Sequence, residues 1–296
     1  MNTPAYSYIE YETIDDNSIA IISLNRPRQR NAQNRGLLEE LGRAFEIAEL
    51  DDDVRVVILR ANGPSFSAGH DLGSADARRE RTEGPDQLES FRNNGGTKLG
   101  AEKFWRQEWH HYFQNTRRWR DLRKITIASV QGPVYSAGLM LMWACDLIVS
   151  DTTASFADVV GARLGMCGVE YFAHPWELGP RRAKELLLTG DAIDADEAHR
   201  IGMVSKVFPE GRLEEDTIEF ARRIAARPSA AALMIKEAVN QTQDNQGFFN
   251  ALNAAFTLHE LNHAHWGLVS GGEVFMDPSA PWKDAPPVRI AEKDKP

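Results

Sequence analysis

Two stretches of the sequence set small residues directly ahead of groups that can bind or move charge. In VVILRANGPSFSAGHDL (56–72), Ser67, Ala68 and Gly69 precede His70 and Asp71, behind a β-branched run. In ITIASVQGPVYSAGLMLMWACD (125–146), Gly132 and Pro133 close a strand, and Ser136, Ala137 and Gly138 open a helix of bulky apolar residues. Small residues let the backbone bend closely around a ligand, and the first N–H groups of a helix are unpaired and sit at the positive end of its dipole. Two such turns facing one another would hold a developing oxyanion, an interaction whose loss costs roughly 3–4 kcal/mol in acyl-transfer enzymes. The plainer alternative is a pair of tight turns and nothing more. His70 also has two readings: an imidazole acting as base, or a position valued for its backbone.

These turns need a scaffold. IAIISL (19–24) and VRVVIL (54–59) read as strands, and between them Leu37, Leu38, Leu41, Ala44, Phe45 and Ala48 mark one face of a helix. ITIASV (125–130) and Leu147–Val149 supply further strands, separated by the helical LMLMWA. Strands alternating with helices pair in parallel, which predicts an α/β architecture. The polar interval from Ser74 to about Gly100 carries RRERTEGPD and RNNGG and reads as a mobile excursion. It leads into a helix, AEKFWRQEWHHYFQNTRRWRDL (101–122), with Trp105, Trp109, Tyr112 or Phe113, Thr116 and Trp119 at helical spacing. That stripe packs on the core, and it is also placed to wall an apolar pocket.

Past Gly190 the pattern is helical, at 195–201, 213–226, 230–241 and 248–263, with MVSKVF (203–208) as a lone β-like run. The expected organisation is a core over 1–190 with an insertion at about 74–115, a helical region over 191–277, and a Pro-rich, charged, loosely held tail over 278–296.

A net charge of −9 and a pI near 5.5 argue against a nucleic-acid partner. The basic cluster Arg117, Arg118, Arg120, Arg123 and Lys124 reads as a solvated helix face, or as a receptor for the phosphates of a small ligand. Cys145 and Cys167 have neither CxxC nor Cys/His spacing, so they read as reduced packing residues of a cytoplasmic protein, with no metal site. The start MNTPAYSYIEYET has no basic, apolar signal pattern, and no stretch reaches the length of a membrane span, so no membrane partner is expected.

The ordered set LNRPRQRNA (24–32), DDDVRVVILRANGPSFSAGHDL (51–72), ITIASVQGPVYSAGLMLMWACDLIVS (125–150) and ELLLTGDAIDADEAHRIGMVSKVF (185–208) resembles the crotonase (enoyl-CoA hydratase/isomerase) superfamily. The resemblance implies a spiral of repeated ββα turns, C-terminal helices that build homotrimers or dimers of trimers, and an acyl-CoA thioester substrate with no cofactor besides its coenzyme A. It also implies oxyanion N–H groups from His70 and Ala137. The coenzyme A path would run along Arg28, Arg30, Ala68, Asp71 and Leu72; the two arginines read equally as exposed turn residues.

The resemblance departs where hydration needs its proton carriers. Members that hydrate an enoyl thioester use two glutamates. The corresponding positions hold Met140 and Val159 or Val160, none of which can transfer a proton. The replacement candidates are Asp158 and Glu170, with the His70 imidazole as a third; the alternatives are a turn carboxylate for Asp158 and a helix-start charge for Glu170. Three functional readings follow: an acyl-CoA-processing lyase or isomerase, decarboxylation and hydrolysis included; a binding protein that kept the pocket and lost the chemistry; and a structural oligomer.

Overall fold

The computed structural model describes residues 5–272, 276–279 and 286–291. The strands are β1 Ile9–Ile14, β2 Ile19–Leu24, β3 Val56–Ala61, β4 Ile125–Val130, β5 Pro133–Tyr135, β6 Leu147–Asp151, β7 Ser155–Ala157, β8 Ile193–Asp194 and β9 Lys206–Phe208. The helices are α1 Arg35–Leu50, α2 Ala75–Arg81, α3 Glu89–Asn93, α4 Gly100–Glu108, α5 Asn115–Arg120, α6 Ala137–Trp143, α7 Val160–Leu164, α8 His174–Leu178, α9 Pro180–Thr189, α10 Ala195–Arg200, α11 Leu213–Ala225, α12 Ser229–Asn245 and α13 Phe248–Val269.

The main sheet has the order β1-β2-β3-β4-β6-β9; β1 is antiparallel and the other pairings are parallel. Both its faces are covered, which is why IAIISL is apolar throughout rather than alternating. Ile19, Ile21, Val56, Ile58, Ile125 and Ile127 face Ala221 and Ala225 of α11. Ala20, Ile22, Leu24, Val57 and Leu59 point the other way, onto Leu37, Leu41 and Phe45 of α1. The α1 stripe read from the sequence is the buried face of that helix.

A second, smaller sheet, β5-β7-β8, runs alongside. Isolated bridges Gln33↔His70 and Ser67↔Val134 extend this layer. Each turn of the chain thus gives a strand to the large sheet, a short one to the small layer, and then a helix: the expected spiral of ββα turns with a helical C-terminal region.

Four expectations need revision. The core does not close at residue 190, because β8 pairs with β7 and β9 with β6 across a crossover through α10. The MVSKVF run is the edge strand of the main sheet. The interval after Ser74 is not structureless: the Ser74 hydroxyl caps α2 by accepting from the Ala77 N–H at 3.2 Å, and Phe91 of α3 is buried. The described part of the tail is docked, since Ala192 donates to the Arg289 carbonyl at 2.6 Å and Ala291 donates back to Ala192 at 2.7 Å; residues 280–285 and 292–296 lie outside the described residues. Finally, Arg120 is buried, paired with Asp244 at 3.0 Å and stacked over Phe248 and Phe249, so it fastens α12 and α13 to the core instead of facing solvent. No described helix is long and apolar enough to cross a membrane.

Gly132 marks where the chain leaves the large sheet for the small one. Its φ is +60°, and a Cβ there would stand 2.0 Å from the Pro64 carbonyl oxygen. Gly132→Ala combines left-handed strain with a backbone collision, and is expected to cost about 2 kcal/mol or more in chemical denaturation; a change within 0.5 kcal/mol would show that the Pro64 turn yields freely.

Candidate active site

The two small-residue turns meet. Tyr135 donates its N–H to the Ser67 carbonyl at 3.0 Å, and Gln33 donates its own to Gly69 at 2.8 Å. The Gln33 side chain then reaches across both, donating to Ser67 Oγ at 3.1 Å and to the Ala137 carbonyl at 2.9 Å. Glycine is required on each side. A Cβ on Gly69 (φ +92°) would stand 2.9 Å from the Tyr135 oxygen and 3.3 Å from the Ala137 nitrogen, and one on Gly138 would stand 2.5 Å from the Ser67 oxygen. Ser136, at φ 47° and ψ −114°, holds a backbone shape that residues with side chains rarely adopt. Its N–H donates to Ala157 at 2.8 Å, and the bend delivers Ala137 as the first residue of α6. Among the described residues, neither the His70 nor the Ala137 main-chain N–H meets an acceptor.

At His70 opens a cavity of about 440 Å³, with Val160, Leu164, Met166, Phe91, Phe104 and Tyr112 among its lining residues. A π-helical turn, Trp109–Gln114, joins α4 to α5. Wider turns of this kind re-aim the side chains that follow them. Trp109 and Phe113 pack on Phe256 of α13, while Tyr112 stacks on the His70 imidazole with ring centres 3.7 Å apart.

The cavity wall carries a chain of acid and base groups. His70 Nε2 lies 3.0 Å from Glu170 Oε2, and the Glu170 carboxylate is 3.8 Å from His259 Nε2. Beyond it, Glu108 contacts His259 at 3.0 Å and His263 at 3.1 Å. Burial opposes charge on both Glu108 and His259. For Glu108 it is outweighed by the His263 charge and the hydrogen bonds of both histidines, which hold the carboxyl well below its usual range. For His259 it is outweighed by hydrogen bonds with Cys167 and Glu108 and by the neighbouring carboxylates, which lift the imidazole well above its usual value. Glu260, between the two histidines in sequence, is pushed up to about 9 by burial and by the charge of Glu108. Arg35, Arg81 and Lys103 also line the cavity, and none is in an ion pair among the described residues. Burial and then the Arg35 charge lower the Arg81 value; burial, Arg35 and Arg81 together lower that of Lys103.

Of the residues singled out from the sequence, His70, Glu170, Asp71 and Leu72 line the cavity; Ala137 is not among its lining residues and packs against Gly69, the residue before His70. The Asp71 carboxylate is turned away, paired with buried Arg26 at 2.9 Å and accepting from Ser74 N–H at 2.8 Å. Arg28 and Arg30 are exposed in a turn that touches Ala68 through its N–H to the Arg30 carbonyl at 2.9 Å. Met140 and Trp143 are packed in the core, whereas Val160 is on the cavity wall. Asp158 is fully buried among core residues and does not line the cavity. It accepts from Val160 N–H at 3.0 Å, Val169 N–H at 3.1 Å and His174 Nε2 at 3.0 Å, shaping the loop that carries Glu170. Burial would raise its carboxyl, but the His174 hydrogen bond and charge hold it below the ordinary range.

Sequence reasoning missed Gln33, Glu108, His259 and His263. A signal for the last two was present in HELNH (259–263), whose histidines recur one helical turn apart. Glu108 and Gln33 had none, because each acts on elements far away in sequence.

The chain belongs to the enoyl-CoA hydratase/isomerase family. The family model of that description matches residues 15–278. The chain is 65% identical over 295 residues to the putative enoyl-CoA hydratase EchA13 of Mycobacterium tuberculosis, covering 98% of this chain and 93% of that protein. It is 30% identical over 242 residues to 4-chlorobenzoyl coenzyme A dehalogenase-2 of an Arthrobacter species, covering 81% and 80%. The crystal structure of a probable enoyl-CoA hydratase from Mycobacterium smegmatis superimposes with a TM-score of 0.78 at 44% identity, covering 89% of this chain and 97% of that one.

Asp158→Ala leaves His174 and two N–H groups without their buried acceptor and is expected to cost about 3–5 kcal/mol in denaturant unfolding. The folded-state carboxyl is lowered, so its contribution is present above the unfolded value and disappears as pH falls through the folded one. The gap between wild type and variant should therefore narrow in acid. A constant gap across pH would mean that the ionised carboxylate contributes nothing.

Proposed function

We propose that this enzyme of the enoyl-CoA hydratase/isomerase family moves the double bond of an enoyl-CoA, with the thioester oxygen held by the His70 and Ala137 N–H groups. The observation that carries this reading is the Glu170 carboxylate on the cavity wall beside His70, in a chain whose His70 and Ala137 amides meet no acceptor among the described residues. Glu170 takes the proton from the carbon between the thioester and the double bond of a 3-enoyl group. The electron pair moves onto the carbonyl oxygen as a dienolate, which the two amides stabilise. Glu170 returns the proton to the γ carbon, leaving the conjugated 2-enoyl thioester; one carboxylate is sufficient and no water is consumed. Met140 and Val159 or Val160 at the two hydratase positions support this over hydration. Glu108 is held by its two histidines, and Asp158 by His174.

The His70 imidazole orients Glu170, while its amide serves the thioester. The coenzyme A path follows Ala68, Leu72 and the backbone at Asp71, with Arg28 and Arg30 at its outer end; the cofactor requirement is coenzyme A within the substrate and nothing else for this step. Exposed Met234, Ile235 and Val239 on α12 provide an apolar face for the homotrimer or dimer of trimers that the family resemblance implies. The unpaired Cys145 and Cys167 accord with a cytoplasmic location.

With 3-enoyl-CoA, conjugation is read as a rise in ultraviolet absorbance. Glu170→Gln should lower kcat about 100-fold or more with little change in KM. His70→Ala, which keeps the amide, should lower it less. Tight binding of the ester by the wild type without turnover would favour the binding-protein reading. Turnover of crotonyl-CoA to the hydroxyacyl product, unaffected by Glu170→Gln, would move the chemistry to another group.

A further inference from the structure

The HELNH segment is not used by the reaction above, yet its side chains are arranged as a unit. The i, i+4 spacing puts His259 and His263 on one face of α13, and α4 brings Glu108 against them. All three are buried at the cavity wall. Glu108 Oε2 lies 3.0 Å from His259 Nε2 and 3.2 Å from His263 Nε2, and the two nitrogens are 3.1 Å apart. Ligand atoms about 2.05 Å from a tetrahedral ion stand about 3.3 Å from one another, so this triangle is close to the right size for one. The His259 Nδ1–H donates to the Gly168 carbonyl at 2.7 Å. In the neutral imidazole that leaves Nε2 with a bare lone pair directed at the other two donors, as in metal-bound histidines whose outer N–H is fixed by a carbonyl. Glu260 follows His259, and its buried carboxyl lies beside that of Glu108. The segment therefore has the H-E-x-x-H pattern, in which two histidines one turn apart bind zinc and the glutamate between them attends the metal-bound water. A third ligand arrives here from another helix.

We propose that Glu108, His259 and His263 bind one divalent transition-metal ion of the zinc type at the wall of the cavity. Three protein ligands leave a coordination position for a water or for an oxygen of the bound acyl group, as in zinc sites that act on substrates. The expectation of no metal drawn from the cysteines did not reach these residues. Glu170 is not one of the three ligands, although its carboxylate lies 3.8 Å from His259 Nε2 and so borders the site.

The test uses the full chain, stripped with EDTA and free of any CoA ester. Zinc chloride is titrated by calorimetry and cobalt(II) chloride by visible absorption. The expected result is one ion per chain, a Kd below about 1 μM, and cobalt bands of four- or five-coordinate strength. Glu108→Gln and His263→Gln should each weaken zinc binding about 100-fold or more with an unchanged circular dichroism spectrum. His265→Ala, on the same helix outside the triangle, should bind as the wild type does. If the substituted chains do not fold, zinc-dependent shifts of the His259 and His263 ring resonances in the unsubstituted protein decide the matter. No stoichiometric binding by the wild type, or equal binding by both ligand variants, would overturn the proposal and leave the trio as an imidazolium–carboxylate cluster. Because no substrate is present, failure here and failure of the isomerase reading are separately visible.

Discussion

The site depends on how closely two backbone turns approach. Gly69 packs against the start of α6 with no room for a side chain, and Gly138 packs against Ser67 in the same way. Gln33 then ties Ser67, Gly69 and Ala137 into one unit through its main chain and its amide. A hydrogen bond inside a dry interior is well directed and costly to leave unmade, so these contacts set the distance between the two free amides. The ββα spiral behind them keeps successive turns in register, because each short strand of the small layer is anchored to a long one in the main sheet.

A second constraint is the helical insertion that forms the opposite wall. A continuous α-helix from Gly100 to Arg120 would hold a single aromatic stripe. The π-helical turn divides that stripe between two tasks, with Trp109 and Phe113 seated on α13 and Tyr112 beneath His70. Seating α13 there brings His259 and His263 to Glu108, so one local irregularity both shapes the cavity and assembles its inner cluster. Buried Arg120 reinforces the arrangement by fastening the α12–α13 junction.

Much of the fold was legible because its signals are local. Apolar runs gave β2 and β4 to the residue and β3 displaced by two, and the stripe from Leu37 to Ala48 gave the buried face of α1. The core boundary was misplaced because β9 is only three residues long, and its membership of the sheet is decided by pairing with β6. The stretch after Ser74 was misjudged for a related reason: its polar residues cover a wall, and its order comes from a capping serine and one buried phenylalanine. On the cavity wall and behind it, the small-residue turns and Glu170 could be picked out one by one and Asp158 read, in one alternative, as a turn carboxylate, whereas the pairing of Asp158 with His174 could not. A carboxylate before a glycine-containing turn reads the same in sequence whether it faces a ligand or, as here, a buried histidine.

By itself the sequence determined the order of strands and helices, the two glycine-bearing turns, and the absence of glutamates at Met140 and at Val159 or Val160. These follow from residue type and near-neighbour spacing, which the backbone expresses directly. Only the tertiary structure decided which titratable groups share a cavity. Glu170 faces His70 across one hundred residues of sequence, Glu108 faces His259 across more than that, and Asp158 is drawn away by His174. Such pairings arise when separate elements pack, and buried charge is tolerated only where that packing supplies a partner.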